Sequence, residues 1–238
     1  MVEYMKYPTT VRRGIYPPAE LMTLKFEQTR RELSELVGAK KEETLFVSPA
    51  NLHFLTDKFT FLDIGSIISR TRVSRDDFKE DILFFNGRDI FAMGDIVVLF
   101  GKSELLEGLS PFEFGGDMIE SVCFKNGTTF TSIPNRFEAG TPNISSLLGL
   151  GEAAKYIKNN YEATGKLFKY AKDELKEYIK KYSDRYMTIT LRENISLRDL
   201  FNKSNSPFIF SIDGNEIQIS PFNDKEDIDK LKMRLRCL

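Results

Sequence analysis

The apolar residues of this chain change their spacing along its length, and that change decides the class of fold open to it. Between residues 19 and 37, Met22, Phe26, Thr29, Leu33 and Leu36 recur on one face at helical spacing, and Gly38 follows where a helix C-terminus favours glycine. The pattern then shortens. Residues 43–48, 59–63, 81–86 and 95–100 form brief apolar runs of the kind buried strands show. Asn126-Gly127, set between residues 121–124 and 128–131, predicts a hairpin. Ser74-Arg75-Asp76-Asp77 predicts a helix start, with an acid three residues after the cap.

Helical spacing returns from Ser145. Leu147, Leu150, Ala154 and Ile157 make one stripe, and Phe168, Ala171, Leu175, Tyr178 and Tyr182 make another. Strands are expected at 186–191, 207–212 and 216–220, with Asp213-Gly214 closing the last hairpin. Asp224 caps a final helix that turns Ile228, Leu231 and Leu235 inward. Helix and strand alternate throughout, so the expected class is α/β with a smaller α+β C-terminal domain. Pro17-Pro18 sets off an arm. The expected organisation is an arm over 1–18, a large domain over 19–145, and linking helices with a small domain over 146–238.

Composition narrows the function. Of 238 residues, 34 are Lys or Arg and 35 are Asp or Glu, a net charge of -1 that offers nucleic acid no basic surface. No apolar run approaches a membrane span, and residues 1–10 lack the apolar stretch of a signal peptide, so a cytoplasmic protein is expected. The two cysteines, Cys123 and Cys237, build no disulfide framework. With His53 as the single histidine they make a zinc site or His-based nucleophilic catalysis a poor expectation. Cys123 reads as a small apolar filler in the hairpin, Cys237 as a terminal residue, and His53 as a loop or partly buried side chain.

The segment Arg136-Phe137-Glu138-Ala139-Gly140-Thr141-Pro142-Asn143 resembles the RFEAGTPN motif of the SufS-type cysteine desulfurases, PLP-dependent transferases of fold type I in the class V aminotransferase family. Gly115-Gly116-Asp117-Met118-Ile119 is similar to their GGxMI segment. Val97-Val98-Leu99-Phe100-Gly101-Lys102 and Glu104-Leu105-Leu106 resemble the strand and helix before it. Arg12-Arg13-Gly14-Ile15-Tyr16 resembles the opening arm, and Phe222-Asn223 with Glu226-Asp227-Ile228-Asp229 the last strand and helix. The resemblance implies a truncated PLP-transferase-like large domain.

It also makes the departures informative. Aligned without gaps from Gly101, the family's Schiff-base lysine segment falls on Asn86-Gly87-Arg88-Asp89, with Asp89 at the lysine. A carboxylate forms no aldimine. Lys79 and Lys102, nearby in sequence, read as surface charge. Asp63 falls where the family pairs an aspartate with the pyridine nitrogen, and Ser66 where it has a glutamine. Asp63 is either a vestige of that site or the cap of a turn. The phosphate-cradling turn becomes Pro49-Ala50-Asn51, and the intervening βα units shrink to residues 49–58. The nucleophilic cysteine loop is absent before the last strand, and its carboxylate-binding arginine becomes Glu216.

The expectation is a non-catalytic cysteine desulfurase-like protein with no cofactor. It would be a homodimer, or a heterodimer with a full-length cysteine desulfurase, serving sulfur transfer or iron–sulfur assembly. In the family Thr141's counterpart reaches the cofactor phosphate of the neighbouring subunit, so Thr141 either acts in trans or belongs to a chain turn built by Gly140 and Pro142. The alternative is a divergent enzyme with a remodelled cleft, drawing on Asp63, Arg88 and Asp89 with Arg12 or Arg13.

Overall fold

A computed structural model describes residues 10–52, 59–93, 96–125, 127–192, 195 and 211–237. The chain divides into two compact units. One holds Met1–Ile68 and Val73–Tyr156, the other Ser69–Arg72 and Ile157–Leu238.

The first unit opens with α1 (Pro17–Val37). Its prolines occupy the first turn, where the missing N–H costs nothing. Gly38 ends it with φ 64°, the left-handed conformation glycine takes without a Cβ penalty. The predicted face is buried, and it includes Arg30 as well. A sheet of four strands follows: β1 (Thr44–Val47), β2 (Phe61–Asp63), β3 (Ile82–Asn86) and β4 (Val97–Gly101), in the order β1-β4-β3-β2. β2 and β3 are parallel, whereas β4 runs antiparallel to both its neighbours. Every residue of β4 is buried, as its continuous apolar run requires of a central strand.

A short helix, α2 (Gly65–Ile68), leaves β2, and α3 (Ser103–Glu107) leaves β4. The hairpin of β5 (Ile119–Cys123) and β6 (Gly127–Phe130) exposes all of β5, so Cys123 is a surface residue and not an apolar filler. Residues 74–77 form one 3-10 turn (Arg75–Asp77) with a capping box, not the expected helix. Three carbonyls there, of Phe78, Glu80 and Asp81, turn instead to the buried Arg75 guanidinium, and the chain enters β3.

Helix α4 (Ile144–Leu175) begins in this unit. Gly151 faces α1, where a Cβ would stand 2.6 Å from Thr29 Oγ1, so only glycine permits that approach.

The second unit carries the rest of α4, then β7 (Ile179–Ser183), β8 (Thr188–Leu191), β9 (Ser211–Asp213), β10 (Glu216–Gln218) and α5 (Lys225–Leu235). The strands form an antiparallel sheet in the order β7-β8-β10-β9. Phe168, Ala171 and Leu175 of α4 pack with Ile189, Leu191 and Ile217 of the sheet and with Ile228, Leu231 and Leu235 of α5. Asp224 caps α5 through the Asp227 N–H, as its position predicts. Tyr178 and Tyr182 depart from the expected helical stripe: α4 stops at Leu175, and Tyr182 lies exposed on β7. Pairing with β8 through Ile189 outweighs the local helical spacing there.

Candidate functional site

The C-terminal ends of β1, β2 and β3 and the start of β4 share one edge of the first unit's sheet. Three groups of residues meet there.

The first is centred on Glu138. Its carboxylate accepts from Arg30 Nη1 at 2.6 Å, Arg30 Nη2 at 2.7 Å, Arg12 Nη2 at 3.1 Å and the Phe46 N–H at 2.9 Å. Arg30 is fully buried and also donates to the Thr44 carbonyl. Its guanidinium lies 4.5 Å from the Phe46 ring centroid and 5.2 Å from that of Phe26. The residues 136–143 are thereby tied to α1 and β1. Arg12 reaches Glu27 as well. Burial raises the Glu27 carboxyl's pKa, but the bond from Lys41 and the charges of Arg30 and Arg12 outweigh it, and the net shift is downward. Arg30 stands on the apolar face of α1, four residues after Phe26 and three before Leu33. A charge in that stripe signals a buried partner, and sequence reasoning passed over it.

The second group lies between β2 and β3. Asp63 is exposed, and its Oδ1 accepts the Gly65 N–H at 2.8 Å, the capping geometry of a turn. Asp89 Oδ2 accepts the Asn86 N–H at 2.8 Å while Asn86 Oδ1 accepts from Arg88 N, a reciprocal capping box over Gly87–Ile90. Asp89 also packs against Gly65, where a Cβ would collide with its carboxylate. The structure therefore brings Asp63 and Asp89 to either side of Gly65. Arg12 is engaged with Glu27 and Glu138, and Arg13 with Asp117. Arg88 is exposed.

The third is a cavity of about 210 Å³ at the end of β1, lined in part by Arg12, Val47, Asn51, Phe137, Gly140 and Leu147. Thr141 is exposed beside it. In the second unit, Glu216 opens β10 and accepts from Thr190 Oγ1 at 3.2 Å. His53 lies outside the described residues. Among the described residues no cluster of three or more His, Cys, Asp or Glu could hold a metal, and no helix is long and apolar enough to cross a membrane.

The Aminotransferase class-V family model matches residues 51–197, and the chain belongs to that family. A cysteine desulfurase of Wigglesworthia glossinidia brevipalpis is 38% identical over 143 residues, which cover 56% of this chain and 34% of that protein. The chain spans about a third of the length of that curated relative. The apo structure of a cysteine desulfurase from Thermococcus onnurineus NA1 superposes with a TM-score of 0.74 at 17% identity, covering 98% of this chain and 88% of that one. The fold is thus that of the PLP-dependent cysteine desulfurases, with a shortened large unit.

These relatives overturn the expectation of no cofactor. The family is one of PLP enzymes, and a structural neighbour, a lysine-to-alanine variant of C-DES, carries glycine covalently linked to its PLP cofactor (TM-score 0.67, 12% identity, 98% of this chain and 90% of that one). The expectation equated loss of a lysine with loss of the cofactor, and that variant keeps PLP despite a lost lysine. Covalent attachment at residue 89 is a separate matter. The Asp89 carboxylate caps its own turn and has no amine to offer, so it does not fit an imine link.

Proposed function

We propose that this chain is a non-catalytic cysteine desulfurase-like protein, a dimerising subunit or scaffold in sulfur transfer or iron–sulfur assembly. The observation that carries the reading is Asp89. It falls on the family's Schiff-base lysine position, and its carboxylate is committed to the Asn86 amide. Any PLP at this edge is then held without a lysine link at residue 89, and Asp63 is a vestige serving the Gly65 amide. The tight two-residue turn between β9 and β10 leaves no room for a nucleophile-bearing loop.

Retention of the 136–143 segment favours a partner. Glu138 fixes its backbone, while Thr141 is exposed and open to a neighbouring subunit. The β5–β6 hairpin supports dimerisation too. It exposes Ile119, Val122 and Phe124, and a two-stranded ribbon uncovered on both faces is marginal in water by itself. The partner is a second copy or a full-length cysteine desulfurase.

The test is direct. Supplied with PLP and L-cysteine, the protein releases no sulfide, and after borohydride reduction the peptide containing Asp89 carries no pyridoxyl group. Sedimentation shows a dimer, alone or with an added full-length desulfurase. Turnover of L-cysteine by the chain alone sinks the proposal, and a monomer in both sedimentation experiments sinks its dimeric part.

A further inference from the structure

We infer that the exposed face of α1 is a contact surface for a second copy of this chain, with the two α1 helices side by side and parallel. This specifies the contact for the dimeric part of the proposed function. It rests on that part alone and not on the loss of turnover.

The inner face of α1 is filled: Met22, Phe26, Leu33, Leu36 and Val37 are buried. The outer face is not the polar one that a solvated helix presents. Leu21 is 49% exposed and Leu24 is 68% exposed, and they share one stripe with Pro17 and Gln28, which are exposed too. The spacing 17-21-24-28 is that of a coiled-coil seam. Leu21 and Gln28 take its first core position, and Pro17 and Leu24 its second.

The charges beside the stripe say what covers it. Glu20 flanks it on one side and Lys25 on the other, the two positions that form ion pairs across such a seam. Five residues apart on one helix, they do not face each other. Among the described residues neither side chain has a hydrogen-bond or ion-pair partner. In a parallel pair, Glu20 of each copy faces Lys25 of the other, so a single surface carries both halves of two ion pairs. An antiparallel pair sets each flank against its own counterpart and brings like charges together. A surface that complements itself fits an isologous two-fold contact. Gln28 then meets Gln28, and a polar core position of this kind fixes register at a cost in stability.

The Lys25 side is open. Lys25, Gln28, Leu148 and Gly149 line part of a groove of about 550 Å³ between α1 and α4. Beyond Gln28 the stripe continues with exposed Arg31 and Glu35, each of which would meet its own kind, so the contact ends there. It spans residues 17–28, about 18 Å of helix, and belongs with the weak interfaces that bury less than about 1,200 Å².

The experiment is sedimentation equilibrium of the full chain across a range of concentrations. A dimer with a Kd of about 100 μM or tighter is expected. Leu24→Asp should weaken it at least about tenfold. Lys25→Glu sets acid against acid on both flanks and should weaken it about fivefold, and adding Glu20→Lys to that variant should restore the original Kd. Val122→Asp, on the β5–β6 hairpin, should leave this contact at full strength. The charge-reversal pair decides the matter if Leu24→Asp does not fold. A chain that is monomeric by itself, full-strength association in Leu24→Asp, or a double reversal that fails to restore the Kd would each overturn the inference. The dimeric reading outlives it if Val122→Asp alone dissociates the dimer, or if a monomeric chain pairs with an added full-length desulfurase. Monomers in both experiments sink the two together.

Discussion

Glu138 and Asp89 are both carboxylates placed just beyond regular elements of the first unit, at the same edge of its sheet, yet they hold very different amounts of structure. Glu138 joins three distant parts of the chain: α1 through Arg30, the arm through Arg12 and β1 through the Phe46 amide. Asp89 closes a capping box with the Asn86 amide and packs against Gly65. The segment proposed to serve a neighbouring subunit is thus pinned from several sides, whereas the turn proposed to have lost its lysine is closed by a local capping box. A segment that mattered solely as a bend would not need two arginines to hold it.

Replacing each acid in turn tests this contrast. Glu138→Ala leaves the fully buried Arg30 with only its longer pairing to Glu27 at 3.7 Å, and removing one partner of a buried pair costs about 3–5 kcal/mol. Urea denaturation should show that loss. Asp89→Ala removes one cap and should cost about 1 kcal/mol. Equal losses from the two variants would break the comparison.

Acid should erode the Glu138 side of the contrast through its neighbour Glu27. The Glu27 pKa is depressed in the folded chain, so around that pKa the unfolded chain binds more protons. Its contribution is complete above the unfolded value of about 4.3 and is lost as pH falls through the lower folded value. Glu43 follows the same direction: burial works against it, but the N–H and O–H of Ser103 outweigh burial. Glu27→Gln should flatten the stability profile in that acidic window. Asp63→Asn should have the smallest effect, within about 0.5 kcal/mol, because its side chain is exposed and serves one turn amide.

Much of the fold was legible because burial imposes a period. The face of α1, the strands of the first sheet, the β5–β6 hairpin and the Asp224 cap all follow from spacing or turn chemistry. Tyr178 and Tyr182 misled, since their spacing continued a helical stripe while β8 offered a strand partner that only tertiary structure supplies. Residues 74–77 carried a real capping signal, but the box caps a single 3-10 turn. At the site, the motif 136–143 was visible as a resemblance. What Glu138 does was not, because Arg12 and Arg30 lie more than a hundred residues away in sequence.

The central claim is that a cysteine desulfurase fold has kept its Glu138-anchored segment and lost its own turnover. The most direct measurement is sulfide release from L-cysteine by the purified chain with excess PLP, read against PLP without protein. The account predicts equal rates in the two samples. Sulfide release that rises in proportion to the concentration of the chain would contradict it.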